Sequence, residues 1–201
     1  MSPTVMALSF AAIFVVELPD KTFIAALVLS TRYRGVFVWI GVGLAFLVQT
    51  LLAVTVGKAV TFLPSDLVHA FAGLIFLVGA VLLAREAPKA DAEEHETEEE
   101  FAAKTTTAKT GWAAILASFL VLFAAEWGDL SQLLTISLVG KYDDPLSVFV
   151  GAWTALLAVS GLAVVAGRYL LRHVRLSVIH YIGAATCLIL AGITAYDLLL
   201  G

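Results

Sequence analysis

Charged residues are scarce in this 201-residue chain. Only 14% of its residues are charged and 61% are hydrophobic, whereas about a quarter of the residues of an ordinary globular domain are charged. So little polar surface disfavours an aqueous enzyme, and because the chain has no basic stripe, we expect no nucleic-acid partner. The composition predicts an integral membrane protein, with the lipid bilayer as its surroundings.

Cysteine is almost absent as well. The single cysteine, Cys187, lies in an apolar run. One cysteine excludes an internal disulfide and a cysteine-rich metal site. We interpret Cys187 as a packing residue.

Apolar runs make up most of the chain. About 20 residues are needed to cross the hydrocarbon of a bilayer, and we identify six candidate runs: 5–30, 36–57, 66–84, 111–139, 146–167 and 176–200. The first run lacks a basic leading flank and carries two acids in its middle, so we interpret it as a retained helix rather than a cleaved signal peptide. The predicted fold is all-α, with six transmembrane helices.

Half of the acidic residues are concentrated in one segment. Eight of the 16 lie between Arg85 and Lys109, and this composition is typical of a disordered, self-repelling loop. We therefore divide the chain into a first three-helix repeat at 1–84, an acidic disordered loop at 85–110 and a second three-helix repeat at 111–201.

The basic residues predict the orientation of the chain in the membrane. Nine of the 12 Lys and Arg residues fall on one side of the predicted spans, and two fall on the other. Because cytoplasmic loops carry the excess of Lys and Arg, we expect a cytoplasmic acidic loop and both termini outside. The compact chain is compatible with a bacterial inner membrane, which is the location we predict.

The two halves of the sequence are similar to each other. A shift of 109 to 110 residues aligns ELPDKTFIAALVLS at 17–30 with EWGDLSQLLTISLV at 126–139, and VTVGKAV at 54–60 with VVAGRYL at 164–170. Because each half holds an odd number of spans, the second must enter the membrane in the opposite sense. The prediction is a pair of inverted-topology repeats, which is typical of transporters with a substrate site near the midplane.

Four carboxylates lie halfway along the first and fourth predicted helices: Glu17, Asp20, Glu126 and Asp129. Each intramembrane carboxylate costs about 2.5 to 3.5 kcal/mol even on the lenient insertion scale, so the four require partners. The i, i+3 spacing puts both acids of a helix on one face. Since the repeat symmetry would bring the two faces together, we expect a cage of four carboxylates.

Further oxygen ligands surround these acids. Pro19 and Gly128 lie between the acids of each helix, where they predict breaks that expose main-chain oxygen. Thr22, Ser131 and Gln132 follow within one turn. A set of oxygen ligands without nearby His, Cys or Met suits a hard divalent ion such as calcium, manganese or magnesium.

The same residues resemble a known family. ELPDKT at 17–22 and EWGDLSQ at 126–132 are similar to the paired E-x-G-D-[KR]-[ST] signatures of the membrane cation/proton antiporters that include the Golgi manganese and calcium exchanger, the chloroplast manganese transporters and bacterial manganese exporters. The resemblance implies that the four carboxylates bind the cation and that Thr22, Ser131 and Gln132 contribute to the site. It also implies export of manganese or calcium in exchange for protons, with the ion as substrate, no cofactor and no enzymatic reaction.

Two residues depart from the family signature. Pro19 stands where the family usually has glycine, and Leu130 stands where the second signature usually has a base. The four carboxylates and Lys21 then sum to −3, so one bound divalent ion leaves −1. We hypothesise that one carboxyl stays protonated in the loaded state, because a net buried charge is costly. For Lys21 we leave open a role in capping the cage, in reaching the interface or in exchanging protons.

Other interpretations lead to different functions. An exporter of small organic cations such as lysine would use the same acids as counter-charges. An intramembrane metal-dependent hydrolase ranks last, because no nucleophile or His-rich motif supports it. A channel would use similar acid rings, but inverted repeats favour alternating access. The choice between manganese and calcium, the proton stoichiometry and a homo-oligomeric state stay open.

Overall fold

The computed structural model describes residues 1–18, 20–104, 109–173 and 175–200. These residues form helices joined by short connections, and no strand occurs among them. The helices are α1 (Pro3–Glu17), α2 (Lys21–Arg32), α3 (Gly35–Val60), α4 (Ser65–Glu86), α5 (Ala90–Lys104), α6 (Trp112–Ala125), α7 (Leu130–Tyr142), α8 (Pro145–His173) and α9 (Leu176–Leu200).

Several of these helices have the length and composition of membrane spans. Within the described part of the chain, α3, α4, α8 and α9 are long and apolar enough to cross a bilayer, and α6 with α7 forms a fifth candidate that is bent by 73°. The runs at 5–30 and 111–139 are each divided into two helices, α1 with α2 and α6 with α7. The chain is thus an all-helical membrane protein in which the acid-bearing segments are interrupted.

The acidic segment contains a helix, so the prediction of a disordered loop over 85–110 is wrong for Ala90–Lys104. Alanine and glutamate are strong helix formers. Ala90 and Phe101 are buried in the hydrophobic core, where α5 contacts α2 and α9. The composition of this segment gives its charge, but it does not show that two of its apolar residues pack between neighbouring helices.

The helices of the two halves pack against each other in matching pairs. α1 lies against α8 and α6 lies against α3, while α3 contacts α8 and α4 contacts α9. A glycine stands at the closest approach in each of the first two pairs. A Cβ at Gly41 would lie 2.3 Å from the carbonyl oxygen of Ile115, and a Cβ at Gly151 would lie 2.4 Å from that of Met6. The two contacts are related by the same offset that aligns the two halves of the sequence.

An ion pair joins the later parts of α7 and α9. The Lys141 ammonium lies 3.0 Å from a carboxylate oxygen of Asp197 and donates a hydrogen bond of 2.9 Å to the Thr194 hydroxyl. The Lys141 side chain is only 3% exposed. Lys141, which follows the predicted span at 111–139, is therefore enclosed between helices.

We predict that Gly41→Ala and Gly151→Ala each lower the melting temperature of the purified protein. The added methyl group would meet a backbone carbonyl, which cannot move without separating two helices, and such overpacking costs about 1 to 3 kcal/mol. Gly192→Ala is the matched control, because a Cβ at that helical position would meet no atom of the described residues within 4 Å, apart from its chain neighbours and its own helix backbone. The measurement is thermal unfolding followed by circular dichroism, and an unchanged melting temperature for Gly41→Ala and Gly151→Ala would contradict the close packing.

Candidate metal centre

Both acidic motifs lie at breaks between helices. The first break separates α1 from α2, and the second separates α6 from α7. Gly128 in the second break has a φ of +81°, a left-handed conformation that glycine adopts without the steric cost of a Cβ. The backbone is therefore not helical at Gly128, between the end of α6 and the start of α7. Pro19, which we predict to break the first helix, lies outside the described residues.

The breaks bring the four predicted carboxylates together. One oxygen from each of Glu17, Asp20, Glu126 and Asp129 can be chosen so that all four lie within 4.8 Å of one another. Glu17 is fully buried and Glu126 is 3% exposed, whereas the two aspartates are partly exposed. The cluster therefore combines two enclosed and two accessible acids, one of each kind from each half of the chain.

Helix ends set the local electrostatics of this cluster. Asp20 and Asp129 are the N-cap residues of α2 and α7, and an Asp129 oxygen accepts a hydrogen bond of 3.1 Å from the Ser131 backbone N–H. The positive end of a helix dipole stabilises a carboxylate there. Glu17 and Glu126 lie instead at the carboxyl ends of α1 and α6, where the negative dipole end favours a cation.

Thr22 connects the two halves of the cluster. Its hydroxyl oxygen lies 2.9 Å from a carboxylate oxygen of Asp20 and also forms a hydrogen bond with Glu126. Among the described residues, both oxygens of Glu17 and the second oxygen of Glu126 are buried without a hydrogen-bond partner. Buried polar atoms ordinarily have partners, and three unpartnered carboxylate oxygens in one cluster are suited to a bound cation.

The other predicted ligands take different places. Ser131 is buried beside the cluster. The Gln132 side-chain oxygen accepts a hydrogen bond of 3.2 Å from the Gly128 N–H, so it stabilises the break. Lys21 is exposed and lies in the wall of a cavity that reaches the acids. The polar environment of the cluster therefore depends most directly on Thr22 and on the helix ends.

A cavity of about 500 Å³ gives access to the carboxylates. Asp20, Glu126 and Asp129 line it, and so do Glu86 of α4 and His180 of α9. Glu86 falls in the range 85–110 that the sequence predicts to be an acidic loop, and the sequence analysis identifies neither Glu86 nor His180 as a residue of the access route. Nothing in the local sequence marks them, because α4 and α9 meet only in the tertiary fold.

We predict that Thr22→Val weakens cation binding by about tenfold, since each hydrogen bond to a charged group contributes about 1.5 to 3 kcal/mol and the two halves lose a direct connection. Thr31→Val is the matched control on the same helix, because the Thr31 hydroxyl bonds only the Val28 carbonyl of its own helix, at 2.8 Å. Manganese titration by isothermal calorimetry measures the affinity. Equal affinities in the two variants would exclude a role for the Thr22 hydroxyl.

Comparison with known proteins identifies relatives by sequence but no related solved structure. The chain is 35% identical over 169 residues to a GDT1-like protein of Synechocystis, a match that covers 78% of this chain and 82% of the relative. It is 32% identical over 209 residues to the chloroplastic PAM71-homolog of Arabidopsis thaliana, covering 94% of this chain and 58% of the relative. For the chloroplastic PAM71 protein of the same plant the identity is 30% over 210 residues, covering 96% and 56%. No solved structure matches the chain.

The chain thus spans less than two thirds of the length of these two chloroplast proteins, although it spans most of the cyanobacterial one. The family model described as "Divalent cation/proton antiporter GDT1" matches residues 5–91 and 114–200. These ranges contain both acidic motifs and almost all of the helical structure apart from α5. The chain belongs to the GDT1 family of divalent cation/proton antiporters, which are transporters and not enzymes.

Proposed function

We propose that this protein exports manganese or calcium in exchange for protons, and that the four carboxylates at the helix breaks bind the ion. The observation that carries the proposal is the convergence of four carboxylate oxygens from the two halves of the chain within 4.8 Å. Membership of an antiporter family supports the exchange of cation for proton. The ion is the substrate, and the proposal requires no cofactor.

The ligand chemistry supports a small divalent ion as the substrate. The cluster offers carboxylate and hydroxyl oxygens, and hard cations such as calcium and manganese prefer these ligands. The described lining of the cavity contains no Phe, Tyr or Trp, and it does contain Lys21. An exporter of lysine would require a wider, aromatic-lined cavity, and the charge of Lys21 would repel its substrate. These features favour the metal ion over an organic cation.

Competition between the ion and protons supplies the coupling. Burial and the proximity of like charges both favour the neutral form of a carboxyl group, so an empty cluster retains protons. A divalent ion must displace those protons in order to bind. Only the protonated or the metal-loaded cluster is then neutral enough to pass between two openings, and exchange needs no separate proton path.

Alternating access between two inverted three-helix repeats, six spans in all, completes the proposal. Three observations support the repeats. The contacts of Gly41 and Gly151 match across the halves. Phe10–Phe14 and Phe119–Phe123 stack alike, with ring centroids 5.6 and 5.4 Å apart. The two family matches begin 109 residues apart, at 5 and 114.

The cavity lies against the first residues of α7 and α9, whereas the Lys141–Asp197 ion pair joins their later parts. We infer that this conformation is open at the cavity and closed at the ion pair.

The proposed orientation places the cavity on the cytoplasmic side of a bacterial inner membrane. Glu86 at the end of α4 and His180 near the start of α9 border the cavity. In the sequence, these residues adjoin two of the loops on the predicted basic side, which carry seven of its nine Lys and Arg residues, and such loops are cytoplasmic. Export would then begin with cytoplasmic ion entering the cavity.

Flux in proteoliposomes tests the proposed function. We predict that the native protein couples manganese or calcium movement to proton movement, and that Glu126→Gln or Glu17→Gln abolishes both fluxes because a cage ligand is lost. The measurement uses a pH-sensitive dye inside the vesicles and metal added outside. Glu99→Gln is the matched control, since Glu99 is an exposed acid on α5.

The outcomes separate the competing functions. Absence of metal flux in the native protein, together with lysine transport, would replace the ion exchanger with an organic-cation exporter. Metal flux that survives Glu126→Gln and Glu17→Gln would show that the carboxylate cluster is not the transport site. Metal flux that neither moves protons nor responds to a pH gradient would refute the exchange mechanism.

The charge of the loaded cluster makes a second prediction. The carboxylates, Lys21 and one divalent ion sum to −1, so we expect one carboxyl to keep its proton. Leu130 lines the same cavity, and Leu130→Arg supplies the missing positive charge. Between neutral states the native cluster goes from three bound protons to one, and the Leu130→Arg cluster goes from two to none, so both exchange two protons per ion. The metal-loaded native protein should therefore show the infrared C=O stretch of a protonated carboxyl, and the loaded Leu130→Arg variant should lose it. Leu133→Arg, one turn further along the cavity wall, controls for a general effect of added charge, and an unchanged carboxyl band in Leu130→Arg would refute the hypothesis.

A further inference from the structure

The carbonyl of Phe123 lies where α6 ends. The Glu126 N–H donates the last helical bond, 3.0 Å long, to the carbonyl of Leu122. The next carbonyl, that of Phe123, accepts a 3.1 Å hydrogen bond from the side-chain amide of Gln49. Gln49 belongs to α3, which packs against α6, and is buried. Its amide occupies the acceptor that the Trp127 N–H would use if α6 continued by one residue.

The equivalent position in the first half has a different arrangement. Phe14 matches Phe123 under a shift of 109, and its carbonyl accepts a 3.1 Å hydrogen bond from the backbone N–H of Leu18. Val159 of α8 matches Gln49 under a shift of 110, and valine has no side-chain donor. Val159 packs instead in an apolar cluster beside Phe14 and Leu18. One break is thus bordered by a hydrogen-bond donor and the other by an apolar side chain.

This difference coincides with a difference between the two buried glutamates. Glu17 is the last residue of α1, whereas Glu126 follows the end of α6 with φ −94° and ψ 6°. Glu126 forms a hydrogen bond with Thr22 of the other half, whereas Glu17 lies near the Ser131 hydroxyl but accepts no hydrogen bond of normal geometry among the described residues. The two glutamates are therefore equivalent in sequence but not in backbone conformation.

We propose that Gln49 is a positioning residue for the cation site. Its amide ends α6 before Glu126 by occupying the Phe123 carbonyl, and it thereby holds the Glu126 carboxylate against Thr22. The inference rests on the proposed function for its effect on transport, but the claim about the helix end stands on the hydrogen bonds alone. The position of Glu126 then depends on α3, through the hydrogen bond from Gln49.

Loss of the amide allows α6 to extend. The Trp127 N–H then takes the Phe123 carbonyl, and the backbone at Glu126 becomes helical. The backbone of Glu126 would change from φ −94° and ψ 6° to about −63° and −42°, which redirects its side chain away from Thr22. A displaced ligand binds the ion less well, so the effect is expected in the KM.

The first variant to test is Gln49→Met, which keeps the length of the side chain and removes the donor. We expect the KM for manganese to rise at least tenfold in proteoliposomes, with a smaller change in kcat. We also expect hydrogen exchange at the Trp127 amide of the full chain in nanodiscs to slow at least tenfold. The matched control is Trp39→Phe, which removes another bond from an α3 side chain to a neighbouring helix, at 3.0 Å from the Leu157 carbonyl. It should leave both readouts unchanged.

A second variant covers the case in which Gln49→Met does not fold. Gln49→Leu removes the amide and leaves a shorter apolar side chain without a hydrogen-bond donor, so the same changes are expected. Unchanged Trp127 exchange in a folded variant would overturn the claim that Gln49 ends α6. Slower exchange with an unchanged KM would overturn the link to the cation. If the native protein shows no metal flux, the proposed function fails, and the exchange result still decides whether Gln49 ends α6.

Discussion

Four carboxyl groups meet in one cluster among helices that are long and apolar enough to span a membrane. Such groups are costly to bury singly and repel one another when ionised, so the cluster can persist only if the surrounding structure offsets its charge. Asp20 and Asp129 lie at the amino ends of α2 and α7, where the helix dipole stabilises a negative charge. Glu17 and Glu126 have no such support, which makes them the acids that most require a cation or a proton.

The helix breaks follow from the same constraint. A continuous helix would give these acids no amino terminus to cap, and it would keep its carbonyl groups bonded internally. Interruption at Gly128 creates both helix ends at the depth where the acids lie. The unbroken helices α3 and α8 then support the interrupted segments, and the contacts at Gly41 and Gly151 bring their backbones close enough to do so.

Approximate symmetry leaves room for functional differences between the halves. Lys21 corresponds to Leu130, Thr22 to Ser131 and Gln49 to Val159 under the shifts that align the repeats. Thr22 and Ser131 take similar places, because each contacts the aspartate of its own break and lies beside the glutamate of the opposite half. The two halves therefore build the site in the same way and differ at Lys21 and Leu130 and at Gln49 and Val159.

The sequence by itself determined the membrane class, and it identified two acidic motifs that lie between helices in the fold. Hydropathy, i, i+3 spacing and the conformational freedom of glycine are local properties that can be counted along the chain. The α5 helix packs through Phe101, which is buried in the hydrophobic core, and composition cannot show that burial. Only the tertiary structure placed Glu86 and His180 on the cavity, Lys141 beside Asp197 and Gln49 on the Phe123 carbonyl. Each of these contacts joins residues on helices far apart in the chain, so its existence depends on how the helices pack and not on any local pattern.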